Sequence, residues 1–598
     1  MPGFYGFVSD RPDVLEKKLK WSDFVTHESG FIDEEAVIQV AGLYGRFFRH
    51  ATKKFIYDKT FSEDAEHFFI LDGVVLNKQK LLKHYRMNAE TKMVSLLQKM
   101  KQTAATPFFK NLRGSFAGVV LEKETARIAI YTNHMGDKEV FYYMDQETNT
   151  LYFATDFDLL IKLVHVHSEK TFRLNKNASY SLMTHGHTLC NETLFDEVRR
   201  LTPGSFLMFS SKGLMQKSYY EIQTKVQPIE EEQALEKLDT LFRNAVRLSF
   251  EKDLEYGYKH LVALSGGLDS RMTTWVAHEM GYTDMLNYTF SQSNYLDETV
   301  ANEIANKLHH EWLFKSLDNG LYLYKYFDEA VRISGARAQS STVSHTLSLL
   351  KNVNLDRFGL VHTGQLGDVI IGTYYDDGKQ QGFKRGDGAV STKLLDRVCY
   401  TEEQAVNLSD QELFKFYNRG FTGINIGLKP MYQFTETISP FLDVEFLDFC
   451  LSLPFEYRSG HALYLKWINH YYPEAANFVY EKVQGKINRK VWTVKGVPIP
   501  WTSLPKAVGK YLKKKLGLRL NTKKHMNPVD YWYKQNPELQ AFYEERFERG
   551  LEVLKDKQLK QDCMFLFENG TAQEKDQVVT FLAFVEQMQQ FMKKSDGC

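Results

Sequence analysis

The chain has 598 residues, too many for one hydrophobic core, and its 43% apolar content with 43 Phe and 33 Tyr excludes an intrinsically disordered chain. Its 75 Lys plus Arg balance 75 Asp plus Glu, so the basic excess of a nucleic-acid-binding protein is absent and no nucleic-acid partner is expected. Five dispersed cysteines (Cys190, Cys399, Cys450, Cys563 and Cys598) form no CxxC pair, which argues against a zinc site or disulfide framework and favours a reducing compartment. With no secretory leader and no uncharged run of about 18 residues, a cytoplasmic protein without a transmembrane segment is expected.

The first 220 residues or so read as β. Short runs of strand-like composition separated by polar turns occur at 67–77, 114–124, 126–136, 139–145 and 150–156, and a closing hairpin at 201–222. Helical patterns before residue 220 are confined to KQKLLKHY and DLLIKLV. A layered antiparallel β domain over 1–222 is predicted. The polar stretch QTKVQPIEEEQ (223–233) reads as a linker.

From 234 to 598 the pattern changes. A long amphipathic helix precedes the strand-like HLVALSGG; the helical DSRMTTWVAHEMG, the strand MLNYTFS, the helical DETVANEIANKL and the strand RFGLVHTG follow. That alternation predicts a parallel sheet with helices on both faces, and the remainder reads as mainly helical. The overall class is therefore α/β and multi-domain. The adjacent histidines in LHHEWLF (308–314) are read as pointing apart on a helix and are discounted as ligands.

The stretch LVALSGGLDS (261–270) carries the chemistry. A buried strand ends at Leu264; Ser265, Gly266 and Gly267 turn the chain, and Asp269 and Ser270 open a helix. Glycines admit a ligand close to backbone N–H groups, and a helix N-terminus favours anions, so the turn suits phosphate. A carboxylate at Asp269 would repel phosphate unless a divalent cation such as Mg²⁺ lies between them. The turn is not a Walker A loop, which requires GK[ST] at its end.

SGGLDS resembles the pyrophosphate-binding loop of the ATP pyrophosphatases (the PP-loop enzymes), and the chain most resembles the asparagine synthetase family among them. LRGSFAGVVLEKETARIAIYTNHMGDKEVFYY, LYFATDFDLL and LTPGSFL are similar to that family's N-terminal Ntn-hydrolase-like domain. HTGQLGDVIIGTY (362–374) is similar to its second nucleotide loop, ISPFLDVEFLDFCLSLP (438–454) to its helical PFLD segment, and YPEAANFVYEKVQG (472–485) to its lysine loop. The resemblance implies a degenerate class II glutamine amidotransferase-like domain over 1–222. It implies an ATP-pyrophosphatase synthetase domain over 234–598, with ATP and Mg²⁺ as cofactors. On it, Asp269 and Asp368 hold the metal, and Ser265, Gly266, Gly267 and Ser270 hold pyrophosphate. Leu264, Thr363 and Gly364 border the nucleotide, and Lys482 is the catalytic lysine, with Lys486 as the alternative. The structural alternatives are a helix-start cap for Asp368 and a solvated surface charge for either lysine.

The sequence also departs from that family. A glutamine-hydrolysing member carries a cysteine directly after the initiator Met; here Pro2 follows Met1, and the first cysteine is Cys190. Asp72 stands where an oxyanion-stabilising Asn is expected, and an ionised carboxylate donates no hydrogen bond. Gln365 replaces an acidic residue and cannot serve as a base. The resemblance with these changes implies an AMP-forming amide ligase that has lost its glutaminase, similar to the β-lactam synthetases and lasso-peptide cyclases. It would adenylate a small-molecule or peptide carboxylate and join it to ammonia or a substrate amine, within one molecule or between two. The alternatives are a glutamine-hydrolysing asparagine synthetase, a non-catalytic nucleotide-binding scaffold, and a transfer-RNA-modifying PP-loop enzyme. Arg271 is left open between a ligand contact and a helix-surface residue. The basic stretch 506–525 offers either a peripheral contact with an acidic surface or a solvated helix face, and a homodimer is compatible with the sequence.

Overall fold

The computed structural model describes the chain apart from residues 18, 21–23, 26–29, 41, 104–106, 401–408, 490, 495–496, 501–524 and 594–598, and leaves the side chains of 491–500 undescribed. Cys598 and all but the last residue of the basic stretch 506–525 lie outside the described residues.

Two antiparallel sheets build the N-terminal part. Their strands in chain order are β1 (Gly3–Ser9), β2 (Phe31–Val40), β3 (Leu43–Thr52), β4 (Thr60–Glu63), β5 (His67–Val75) and β6 (Gly114–Glu122). They continue with β7 (Arg127–Thr132), β8 (Phe141–Asp145), β9 (Thr150–Ala154), β10 (Arg199–Arg200), β11 (Ser205–Ser210) and β12 (Gly213–Ser218). One sheet has the order β10-β8-β9-β1-β3-β2, the other β12-β11-β7-β6-β5-β4. The period of two explains the layering. Phe68 and Ile70 of β5 meet Phe4, Phe47 and Phe153 of the other sheet in a shared core. Phe69 and Leu71 face the opposite way, onto Leu96, Leu97 and Met100 of the helix Met93–Thr103. β5 is therefore apolar on both faces, as a strand covered on both sides must be.

The outer face of the first sheet is covered by the helices Phe157–Ser168 and Lys176–His185, and then by the end of the chain. The last long helix, Ala572–Gln587, starts with a capping box in which Thr571 and Glu574 satisfy each other's backbone N–H groups. It returns to set Phe584 against Phe157 and Phe195. One apolar core thus joins residues as distant as Tyr5 and Phe591.

The second architecture is a five-stranded parallel sheet of β13 (Lys259–Ala263), β14 (Met285–Ser291), β15 (Glu311–Ser316), β16 (Phe358–His362) and β17 (Thr437–Ile438), in the order β15-β14-β13-β16-β17. The helices Glu231–Glu255 and Asp269–Glu279 pack on one face through Phe242, Val246, Met272 and Val276. Leu349, Leu350 and Met431 cover the other through Leu261, Tyr288 and Val361. Strand order reverses between β13 and β16. Ligands of open α/β sheets bind in the crevice beyond the carboxyl ends of the strands at such a reversal.

Several elements differ from the sequence reading. Strands β1 to β4 and the helices Met93–Thr103 and Lys176–His185 are absent from the sequence reading, although Met93, Leu96, Leu97 and Met100 recur at helical spacing and form the buried face of the first helix. His309 is the left-handed cap of the helix Leu296–Leu308 and His310 precedes β15, so these two histidines are not on a helix. His310 instead meets His278, at 2.8 Å between ring nitrogens.

Candidate active site

The first loop leaves β13 at Leu264, whose carbonyl accepts from Thr289 Oγ1 on the neighbouring strand (2.6 Å). The Ser270 hydroxyl reaches back to the N–H of Ser265 (3.0 Å) and to its hydroxyl (2.9 Å), and Ser265 Oγ accepts from the N–H of Gly267 (3.2 Å). The two serines fold the turn onto the first turn of the helix Asp269–Glu279. The N–H of Gly266 is taken by Asp297 (2.9 Å).

The second loop leaves β16 at His362. The N–H of Thr363 pairs with Ile438 of β17, and the Thr363 carbonyl accepts from Thr273 Oγ1 of the first loop's helix (3.3 Å). Contact between the two loops depends on two glycines. A Cβ at Gly364 would overlap the N–H of Ser270, and one at Gly367 would lie 2.7 Å from Asp269 Cγ. The chain then enters a five-residue π-helical turn, Asp368–Gly372. Asp368 is its first residue, but its side chain caps no N–H there.

These approaches bring two carboxylates together. Asp269 Oδ2 accepts from the backbone N–H of Asp368 (2.9 Å) and Asp269 Oδ1 from the Tyr464 hydroxyl (2.9 Å). Burial, then the charge of Asp368, push the Asp269 carboxyl up to about 8. Lys482 Nζ lies 3.4 Å from Asp368 Oδ2. It projects from the turn Glu481–Val483 between two short paired strands, Val479–Tyr480 and Gly485–Lys486. Lys486 is exposed on the far arm of that hairpin. Burial, then the Lys482 charge, lower His461 beside this group to about 4.

Arg271 is neither a ligand contact nor a helix-surface residue. It is fully buried and donates to the carbonyls of Gly266 (3.1 Å), Ala475 (3.2 Å), Phe478 (3.3 Å) and Val479 (2.6 Å). It ties the stretch carrying Lys482 to the first loop. The N–H of Glu481 adds a bond to the Gly266 carbonyl (3.0 Å), and Tyr295 donates to the Glu481 carboxylate. Tyr464 and Asp297, within helices, and Tyr295, just before one, escaped the sequence reading, because a lone Tyr or Asp there carries no motif.

The loops open into a cavity of about 950 Å³. Leu264, Ser265, Gly267, Asp269, Ser270, Thr363, Gly364 and Asp368 all line it. Gly266 stands behind the turn, against Leu296 and Glu481. Gln365 lines the cavity too; its side-chain amide donates to Asn425 Oδ1 (3.4 Å).

Asp72, in the N-terminal part, is buried among charges. Lys138 Nζ lies 3.2 Å from Asp72 and 2.9 Å from Glu436, and Lys59 Nζ lies 3.3 Å from Glu436. Burial would raise the Asp72 carboxyl, but Lys138, Lys59 and Arg49 hold it below its ordinary range. Glu436 immediately precedes β17, so this cluster stitches the antiparallel sheets to the parallel one. Asp253, His260 and His362 form a second buried cluster, in which Asp253 Oδ2 lies 2.8 Å from His260 Nδ1 and 2.7 Å from His362 Nε2. These are hydrogen-bond lengths, and the group pins the strands β13 and β16 to the end of the helix Glu231–Glu255.

Residues 59–220 match the family model of a glutamine amidotransferase domain. No curated protein matches the chain. Among solved structures, it is similar to one described as the allosteric regulatory enzyme of purine biosynthesis, with 10% identity and a TM-score of 0.25 over 52% of this chain and 80% of that one. It is also similar to a glutamine phosphoribosylpyrophosphate amidotransferase from B. subtilis, with 11% identity and a TM-score of 0.22 over 46% of this chain and 77% of that one. Among the described residues, no helix is long and apolar enough to cross a membrane.

Proposed function

We propose that the protein is an ATP-dependent ligase that activates a carboxylate as its adenylate and transfers the acyl group to ammonia or to an amine carried by a substrate. The observation that carries this reading is the meeting of Asp269, Asp368 and Lys482, from three separate stretches, at the reversal point of a parallel sheet.

A substrate carboxylate oxygen attacks the α-phosphorus of ATP, the bond to the β-phosphate oxygen breaks, and pyrophosphate leaves. The amine nitrogen then attacks the acyl carbon, AMP departs with the electrons of the mixed-anhydride bond, and the nitrogen loses a proton to water or a buffer base. Negative charge accumulates on the phosphates in the first step and on the acyl oxygen in the second. Lys482 Nζ, exposed and 3.4 Å from Asp368, is placed to neutralise it. The N–H groups of Ser265, Gly266 and Gly267 are bonded within the protein, so the backbone donors for the departing pyrophosphate are those at the N-terminus of Asp269–Glu279. The donor set fits a divalent cation, since two oxygen-bearing side chains of like charge crowd where Gly367 lets the loops touch. Mg²⁺ held by Asp269 and Asp368 would offset phosphate charge and polarise the leaving pyrophosphate.

The glutaminase of the amidotransferase-like part is inactive on this reading. Residues 1–189 contain no cysteine. Burial pushes the Cys190 thiol up to about 12, far from the thiolate that a nucleophile needs. Asp72 is held ionised by two lysines and donates nothing to an oxyanion. The match over 59–220 favours one second reading, a ligase still fed by glutamine hydrolysis. ATP–pyrophosphate exchange tests the main proposal: a carboxylate should drive exchange, and Asp269→Ala should abolish it. Glutamate release from added glutamine separates the second reading from the first.

A further inference from the structure

The cavity extends well past the loops that would hold ATP. Its far lobe is made by His185 and His187 at the end of the helix Lys176–His185, by residues 388–390, by Arg419 and by Gln573. Pockets for a single drug-sized ligand span about 300–1,000 Å³, so the 950 Å³ here is at the top of that range, and its lining runs beyond the two loops. Ammonia needs no such room.

The charges on the wall are few. Among the described residues, the one charged side chain lining the cavity apart from the Asp269–Asp368 pair is Arg419. Among the described residues Arg419 pairs with no carboxylate. Arg419, Tyr374 and Asp368 line the same cavity. The remaining polar groups are neutral. His187 Nδ1 donates to the Thr188 carbonyl (3.0 Å) and His345 Nδ1 to the Ser341 carbonyl (2.9 Å); a carbonyl only accepts, so the Nε2 of each ring is left as an acceptor. Burial lowers His187 to about 4 and, with the charge of His187, His185 to about 3, so these rings stay uncharged near neutrality. Thr342 and the exposed Gln573 add a hydroxyl and an amide.

From this lining we propose that the far lobe takes a bulky monocarboxylic acid rich in hydroxyl groups, its carboxylate steered toward the α-phosphate by Arg419 and its hydroxyls bonded by the imidazole, hydroxyl and amide groups of the wall. The inference rests on the ligase reading above and names the substrate class for that site. An amino dicarboxylic acid such as L-aspartate fits poorly: its second carboxylate would need another cation and its ammonium an anion, and among the described residues the lobe has neither. An alkyl acid would strand the polar wall groups without partners.

The test is ATP–pyrophosphate exchange with purified full-length protein. D-glucuronate, D-galacturonate and D-gluconate would be compared with L-aspartate and hexanoate, alongside direct calorimetric titration of ATP. At least one hydroxylated acid should drive exchange above both comparison acids. Arg419→Ala should raise its KM by about tenfold or more, the loss of one charge-assisted hydrogen bond, with ATP affinity unchanged, and Arg419→Lys should recover part of that loss. His187→Ala should raise the same KM with little change in ATP affinity. The proposal is overturned if L-aspartate or hexanoate is the better substrate, if both variants behave as the parent protein, or if ATP binds and no hydroxylated acid supports exchange. Failure of ATP itself to bind would instead remove the ligase reading beneath it.

Discussion

The Tyr464 hydroxyl donates to Asp269 Oδ1 at 2.9 Å, while the backbone N–H of Asp368 occupies Oδ2. Both oxygens of the first loop's carboxylate are therefore aimed by groups from other parts of the chain. Tyr464 is buried beneath the site and stacks on Trp467. Tyr464→Phe keeps the ring and removes the hydrogen bond. Because the acceptor is a carboxylate, the loss is worth about 1.5–3 kcal/mol, or roughly tenfold to a hundredfold in exchange rate. The melting temperature should shift by only a few degrees, and a larger shift with unchanged activity would make the tyrosine a packing residue alone.

Asp368 and Lys482 are the second pair. Asp368→Asn should eliminate measurable exchange. Lys482→Ala should lower it by about 10²–10³, the usual scale for losing one group that stabilises transition-state charge. Lys486→Ala should stay within about twofold of the parent, because Lys486 is exposed on the other arm of the hairpin. Equal losses at 482 and 486 would mean that neither lysine is specifically placed.

Gly367→Ala would set a Cβ 2.7 Å from Asp269 Cγ. Something must move, and overpacking of this kind costs about 1–3 kcal/mol. The variant should remain folded by circular dichroism, bind ATP more weakly, and lose part of the cation dependence of that binding. Unchanged ATP affinity would show that contact between the loops is dispensable.

Glu139 gives a pH prediction. It is buried beside Arg337, Lys429 and Arg200. Burial would raise its carboxyl, but those three cations bring it down from 4.5 to about 2. A carboxyl depressed on folding contributes stability that is fully present above its unfolded pKa and is lost as pH falls through the folded one. Urea unfolding should therefore weaken steadily from about pH 4.5 toward pH 2. Glu139→Gln should be less stable at pH 7 and show a shallower slope in that window, read as the change in midpoint with pH. An identical slope in parent and variant would place the acid sensitivity elsewhere.

The buried cluster of Lys59, Asp72, Lys138 and Glu436 carries the last prediction. Asp72→Asn restores an amide at the position in question but leaves Lys138 and Lys59 short of a counter-charge. Breaking one side of a buried pair costs about 3–5 kcal/mol, so a marked fall in stability is expected with no gain of glutamate release. Glutaminase activity in the parent protein would overturn the reading of an inactive pocket.

The chain's own order of residues determined a good part of this. The turn 264–270 announces itself because apolar residues, two glycines, an aspartate and a serine are contiguous, and a strand–turn–helix is a local object. The alternation of strand and helix from 234 onward predicts a parallel sheet for the same reason, and β5 to β9 and the hairpin of β11 and β12 follow from short strand-like runs bounded by polar turns. Tertiary structure decided what lies between distant stretches. That Asp269 meets Asp368 and Lys482 depends on Gly364 and Gly367 admitting one loop onto the other, and on Arg271 binding four carbonyls from two segments. Arg271 itself, directly after the turn, gave no sequence signal between surface and core, because a buried arginine is recognised only by the carbonyls around it. Strands β1 to β4 were missed although β1 and β3 are rich in Phe and Tyr: glycines in β1 and charged residues in β2 and β3 interrupt their apolar runs. The charge of the far lobe was equally hidden: it is set by which side chains of residues 185–573 fail to find a counter-ion, and pairing is a property of the folded chain.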